Sequence, residues 1–327
     1  QGRMTLRPLA GAHRDAPMDG CALDPLRDGS HQVVVSCGLA LAMGEVDPYQ
    51  MACHSVDEAL RNCICSGGSL ERAALLDNYA WGDVKDPAIL GQIVECSRGA
   101  AYAARAYRTP FISGKDSLHN TYRAGGVSRS IPPVLLVSAI SIVPGPLRVP
   151  GSDLKQAGSV MVLLGPPAAI PGSLLQMCNG GRGGVPAPFD ARLGPELLHT
   201  VRRWIVEGRC RSLHDLSDGG LAVAAAEMCF GGDGLGIDLD ISALGSDRIA
   251  SLFGEGPHRL LAEVRPDEVD LLLEQAQASR IPIACIGEST ADGIFRVHHD
   301  GDGCIEAGID ELKQIWKQTL EAIWPTP

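Results

Sequence analysis

At 327 residues the chain exceeds one typical domain, and its length predicts two. The formal net charge is −11 and no Lys/Arg run exists, which argues against nucleic acid as the main partner. No apolar run long enough to span a bilayer survives its prolines, so no membrane partner is expected.

Hydrophobic residues make up 45% of the chain but aromatics only 4%, so the cores must rely on Ala, Val, Leu and Ile. The eleven cysteines are scattered and form no C-x-x-C pair, which points away from zinc and from a disulfide scaffold. Cys37, Cys96, Cys229 and Cys285 sit beside apolar residues and read as small buried hydrophobes. This pattern suits a reducing, cytoplasmic setting. No signal peptide is visible, and a start on Gln1-Gly2 rather than Met suggests a piece of a longer protein.

In chain order, residues 1–30 are polar, rich in Gly, Asp and Pro, and read as an extended lead-in. His31–Cys37 is a strand by its β-branched run. Asp47 before Pro48 predicts a helix start, and Met51, Val56, Ala59, Leu60 and Cys63 carry that helix to about Ser66. Glu58 and Asn62 share one of its faces, read from spacing alone as solvated. Gly67-Gly68 ends it, and a strand from Arg72 delivers Asp77. Pro87–Tyr107 is a long helix with Ile89, Ile93, Cys96, Ala100, Ala103 and Ala104 inward.

The segment Ile112–Asn120 then packs Gly114, Lys115, Asp116 and Ser117 together. Ser113-Gly114 predicts a loop with bared backbone N–H groups, which suit phosphate oxygens. Lys115 can neutralise phosphate as a point charge, and Ser117 can donate to an anionic oxygen. Asp116 stands where a Walker A loop has Ser or Thr, so the segment is not one. An incidental surface turn explains the same residues about as well. Residues 123–130 read as a flexible connection and Pro133–Val143 as a long strand, apolar on both faces.

The Pro/Gly cluster over 144–151 predicts a boundary, with domains 1–147 and 148–327. Val160–Gly165 opens the second part as a strand. Residues 178–184, the most glycine-dense run, read as a surface loop. After a helix over 195–206, Asp215 to Gly220 forms an acidic Ser/Gly turn leading into an apolar helix. There Gly219-Gly220 allow close backbone approach, and Asp215 and Asp218 suit Mg²⁺ or a capping role, making this a possible second ligand site. Gly236–Ile241 is expected at an edge or half-buried, 266–277 as a helix, 281–287 as a strand and 312–324 as a closing helix. His298 and His299 are adjacent on a strand and point to opposite faces, which excludes a joint metal site. Strands alternating with helices in each half give α/β (α+β) layers.

Asp77-Asn78-Tyr79-Ala80-Trp81-Gly82 and Ser113–Asn120 resemble the DN-x-x-WG and SGKDSL-x-N segments of the phosphoribosylformylglycinamidine synthase family. Val56–Asn62 is similar to its VDEA-x-RN helix, and His214–Leu221 to the HD-x-SDGGL segment of the wider aminoimidazole ribonucleotide synthetase superfamily. The likeness is to the C-terminal half of the synthetase subunit and runs through nearly the whole chain. It implies a two-domain fold, with an N-terminal sheet domain that forms a barrel-like interface with a second copy and a C-terminal α/β domain covering the site. It also implies ATP and Mg²⁺ as cofactors and formylglycinamide ribonucleotide as substrate. The implied partners are the N-terminal half of the same enzyme, or a second copy of an isolated chain, and a glutaminase domain or subunit. Asp77 and Gly114 then match ATP-binding positions and Ser117 a substrate-binding one. Lys115 stands where some members have a Mg²⁺-binding Asn, which leaves Asp116 as the nearest metal ligand. Gly256-Pro257 replaces the Ser-Gln of the substrate-binding version of the Glu255 segment. The alternatives are a non-catalytic half, or a sibling such as selenophosphate synthetase or thiamine-monophosphate kinase.

Overall fold

The computed structural model describes residues 2–145, 147 and 149–324, without the side chains of 320–322. The predicted cluster at 144–151 therefore falls partly on Pro146 and Arg148, which lie outside the described residues. The first part runs β1 (Met4–Leu6), β2 (Leu9–Ala10), β3 (Ala16–Pro17), β4 (Gly20–Leu23), β5 (His31–Gly38), α1 (Pro48–Cys65), β6 (Ala73–Ala80), α2 (Pro87–Tyr107), β7 (Phe111–Ser117), β8 (Thr121–Ala124), β9 (Val127–Ser130) and β10 (Val134–Pro144). The second runs β11 (Val160–Leu164), α3 (Leu174–Cys178), α4 (Leu193–Val206), β12 (Cys210–Asp215), α5 (Gly220–Phe230), β13 (Gly236–Asp240), α6 (Arg248–Phe253), β14 (Leu260–Val264), α7 (Val269–Ala278), β15 (Ile283–Thr290), β16 (Ile294–His299), β17 (Asp302–Gly308) and α8 (Ile309–Ile323).

Among the described residues two large open sheets result, ordered β1-β4-β5-β10-β6-β7 and β12-β14-β11-β15-β13-β16-β17, with two-stranded pairs β2-β3 and β8-β9 beside them. Among the described residues no helix is long and apolar enough to cross a membrane. Helix α1 starts where Asp47 accepts the Gln50 N–H and Pro48 needs no donor partner; Asp86 and Pro87 repeat the device for α2. Helix α1 packs on β5 and β10 on one side and on β12 and α4 on the other. The larger core therefore crosses the molecule: Val56, Leu60, Leu135 and Tyr107 join Leu164, Leu197, Trp204 and Leu260. A smaller core lies on the far face of the second sheet, where α5 meets Met161, Leu261, Ile286 and Ile237.

Several expectations need correction. The lead-in is not extended coil: β4 pairs with β5, and β1 with β4, adding two strands to the first sheet. The predicted loop at 113–117 is a strand, because β7 pairs in parallel with β6 and that ladder overrides the turn propensity of Ser-Gly-Lys-Asp. Residues 121–130 form the β8–β9 hairpin rather than a flexible connection. β13 is not at an edge, being held by β15 and β16, although it is half-buried as its alternation suggests. Glu58 and Asn62 are not solvated: Glu58 accepts the Leu39 N–H at 3.0 Å and Asn62 donates to the Cys37 carbonyl at 2.9 Å. Cys37 and Cys285 are exposed, whereas Cys96 and Cys229 are buried as expected.

The α1–α2 crossing depends on Gly99, where an added Cβ would stand 2.2 Å from the Tyr49 carbonyl oxygen. Alanine is worth about 0.5–1 kcal/mol over glycine within a helix. Overpacking of a tight contact costs about 1–3 kcal/mol, so the clash wins. Gly99→Ala is expected to lower the urea midpoint with an unchanged m-value; a raised midpoint would show the helices free to separate.

Candidate functional site

Strand alternation divides the predicted nucleotide segment between two faces. In the β6–β7 ladder Asp77 is the register partner of Gly114. Asp77, Gly114 and Asp116 face α2 and line a groove of about 590 Å³ with Tyr79, Ser97 and Phe111. Lys115 and Ser117 point to the opposite, open face, where the Lys115 ammonium donates to the Ser117 hydroxyl. Four adjacent residues, 114–117, therefore contribute both to a groove wall and to a separate cation–hydroxyl pair.

Gly114 is required for a different reason from the one its sequence suggests. It lies in a strand and is not among the positive-φ glycines, so backbone freedom is not what selects it. A Cβ there would stand 2.0 Å from Asp77 Oδ1. The missing side chain is the space in which the Asp77 carboxylate sits. Burial, and then the neighbouring Asp116 carboxylate, hold Asp77 above the usual carboxylate range. Neither acid has a cationic partner in an ion pair among the described residues, so the groove can take a hard cation or a donor-rich ligand.

The second predicted site lies where β12 meets α5. Gly219 (φ 81°) and Gly220 (φ 65°) are left-handed, which glycine tolerates without the penalty of a side chain. Asp218 does not cap α5: no side chain does. The Gly219 N–H instead reaches Glu255, whose carboxylate also accepts the Leu174 N–H, both at 2.8 Å. Asp215 is buried, with Oδ2 3.5 Å from Arg61 Nη2 and no hydrogen-bond partner on that oxygen among the described residues.

Three residues overlooked in the sequence complete this chamber. Asp19 pairs with His214 Nδ1, and Glu227 lies 3.1 Å from its Nε2. Arg61, from the middle of α1, reaches Asp215. Burial alone would depress His214, but Asp19 and Glu227 outweigh it and hold the imidazolium well above its ordinary range. Burial, then Asp19, pushes Asp215 up. Burial, then Asp215, does the same to Glu58. Donor atoms of Asp19, His214 and Asp215 lie within 4.8 Å of one another, close enough to share a cation if His214 gave up its bond to Asp19. Asp19 lies in the supposed lead-in, and the one signal for it was an acid directly before Gly20. The histidine pair behaves as expected: His298 lies 3.2 Å from Asp238, and His299 bonds the Gly245 carbonyl at 2.9 Å.

Glu255 provides a test of this chamber. Burial raises its pKa from 4.5 to about 7. The folded chain thus holds a proton that the unfolded chain releases, and the stability this contributes is present below pH 4.5 and lost as pH rises to about 7. Glu255→Gln keeps an acceptor for Gly219 and Leu174, so melting temperatures across this window should decline less steeply than in the parent. Parallel pH profiles would show that Glu255 titrates normally.

Comparison with known proteins places these features in a family. AIR synthase related protein, N-terminal domain, matches residues 18–143, and AIR synthase related protein, C-terminal domain, matches 156–300. Phosphoribosylformylglycinamidine synthase subunit PurL of Anaeromyxobacter dehalogenans is 31% identical over 90% of the chain, which spans only 39% of that protein. Structures of T. maritima PurL complexed with ATP and with FGAR align over 94% of the chain, with TM-scores of 0.70 and 0.72. They cover 47% and 49% of those chains at 18% and 17% identity, a likeness of fold. With both domains matched in order over most of its length, the chain belongs to the AIR synthase related family.

Proposed function

We propose that this chain is the C-terminal half of a phosphoribosylformylglycinamidine synthase. The whole enzyme would convert formylglycinamide ribonucleotide and glutamine-derived ammonia to the amidine in purine biosynthesis, in the cytoplasm, with ATP and Mg²⁺. The observation that carries this reading is the fit of the Asp77 carboxylate into the space left by Gly114, beside Asp116 on one groove. ATP, when bound, supplies the phosphoryl group that activates the formamide oxygen, a reaction that needs positioning and charge stabilisation more than covalent help.

In this reading Asp77 and Gly114 hold the nucleotide. Asp116 offers a carboxylate oxygen to Mg²⁺; it lines the groove with Asp77, a donor set suited to a hard cation. Lys115 and Ser117 act on the other face, the cation against phosphate and the hydroxyl on substrate, presented toward the neighbouring half. Asp215, Asp218, Gly219 and Gly220 form a second ligand site in the β12–α5 chamber. We take the boundary between the two domains at 147/148, a reading supported by its position between β10 and β11.

The partner is the N-terminal half of the enzyme, with a glutaminase domain or subunit beyond it. The open face of the first sheet supports this, with Val33, Val35, Leu136 and Ile140 half-buried and Ile142 exposed. An isolated chain would pair with a second copy across the same face. By the resemblance, the catalytic His, the main metal carboxylates and the Glu-Ser-Gln segment belong to the missing half.

Three outcomes are expected. Asp77→Ala in the complete enzyme raises the ATP KM or lowers kcat, and unchanged values of both would remove the assignment. Gly114→Val is worse than Gly114→Ala, since both displace the Asp77 carboxylate but Val adds bulk to the groove. The chain alone forms no amidine from formylglycinamide ribonucleotide, ATP and ammonia, and light scattering finds it dimeric.

A further inference from the structure

Away from both sites, a pocket of about 460 Å³ opens between the end of β11, helix α6 and the segment before β15. This is within the usual range for small-molecule sites, about 300–1,000 Å³. Most of its wall is apolar, and Arg259 forms part of it. Arg259 is 2% exposed. Its Nη1 donates to the Gly254 carbonyl at 3.2 Å, and its Nε has no partner among the described residues.

Its surroundings differ from those of Arg61, the other buried arginine named here. Arg61 has Asp57 at 3.0 Å and Asp215 at 3.5 Å. Among the described residues no carboxylate forms an ion pair with Arg259, and the charge that bears on it is Arg61, of the same sign. A guanidinium carries five N–H donors, and burying it without a counter-charge is costly. Burial lowers its pKa only to about 10, so it stays a cation at neutral pH. Ser246 and Ser251 also line the pocket, and their hydroxyls make no hydrogen bond among the described residues. Asp247, the acid on the same wall, is occupied in capping α6, where it accepts the Ala250 N–H at 3.0 Å.

We propose that this pocket binds a small organic oxyanion, with Arg259 as its counter-charge, Ser251 as a second donor, and its apolar body against Leu163 and Pro166. A phosphate or a carboxylate would each satisfy the guanidinium fork. The site shares no lining residue with the Asp77 groove, so it stands or falls independently of the proposed function.

The test uses the chain labelled with ¹⁵N-arginine and follows the Arg259 Nε–Hε signal, assigned by its loss in Arg259→Lys. Phenyl phosphate and benzoate serve as probes, and the one that saturates at the lower concentration identifies the headgroup. Either probe should shift this signal and raise the melting temperature. Ser251→Ala should weaken binding by about tenfold or more, the value of one good hydrogen bond to a charged group. Ala250→Leu, which fills the pocket and leaves Arg259 in place, should abolish the shift. A signal unmoved by both probes, or a shift that persists unchanged in Ala250→Leu, overturns the proposal.

Discussion

The structure depends on a buried carboxylate, Asp57, in the middle of α1. It accepts the His258 N–H at 2.9 Å, His258 Nδ1 at 2.5 Å, Arg61 Nη1 at 3.0 Å, and the Tyr107 hydroxyl. His258 Nε2 accepts the Asp190 N–H, so the ring proton sits on Nδ1 and is donated to Asp57. Burial alone would raise the Asp57 pKa, but His258 and Arg61 reverse this and keep it ionised. Removing one partner from such a network typically costs about 3–5 kcal/mol, because it strands a charge in the interior. Its donors come from α1, α2 and the segment before β14, so this one side chain ties the two sheets together.

Arg61 carries that constraint to the second chamber. One end of its guanidinium, Nη1, holds Asp57 and the Gly256 carbonyl, and the other, Nη2, reaches Asp215. The position of Asp215 is therefore set by α1 as well as by its own strand. The neighbouring turn is fixed from the other side, where Glu255 gathers the N–H groups of Gly219 and Leu174. The chamber is built across the seam between the two sheets, and neither sheet alone would form it.

What could be read from the sequence follows from what is local. α1 and α2 were legible because each has an acid cap, a proline at its start and an apolar stripe at helical spacing. The acidic turn at 215–220 was legible because its Asp, Ser and Gly residues carry turn chemistry of their own. β7 was not, since Ser-Gly-Lys-Asp has turn chemistry and only pairing with β6 makes it a strand. With the strand missed, so was the alternation that sends Lys115 and Ser117 away from Asp77. Asp19 and His214 are 195 positions apart, and no local pattern could join them. Gly256-Pro257 departs from the family pattern beside Glu255, yet the structural contacts of Glu255 need only its carboxylate.

The shared core also bears on how such chains are inherited. The two family domains match separate stretches of sequence, as exchangeable modules would. Yet Leu60 and Leu135 pack in one cluster with Leu164, Trp204 and Leu260, and α1 is wrapped on both sides. A recombinant that took its first module from one relative and its second from another would bring together two faces never shaped to each other. It would also have to match Asp57 and Arg61 with His258 and Asp215. Substitutions on one side of the seam are therefore constrained by the other, and the two modules should diverge as a pair.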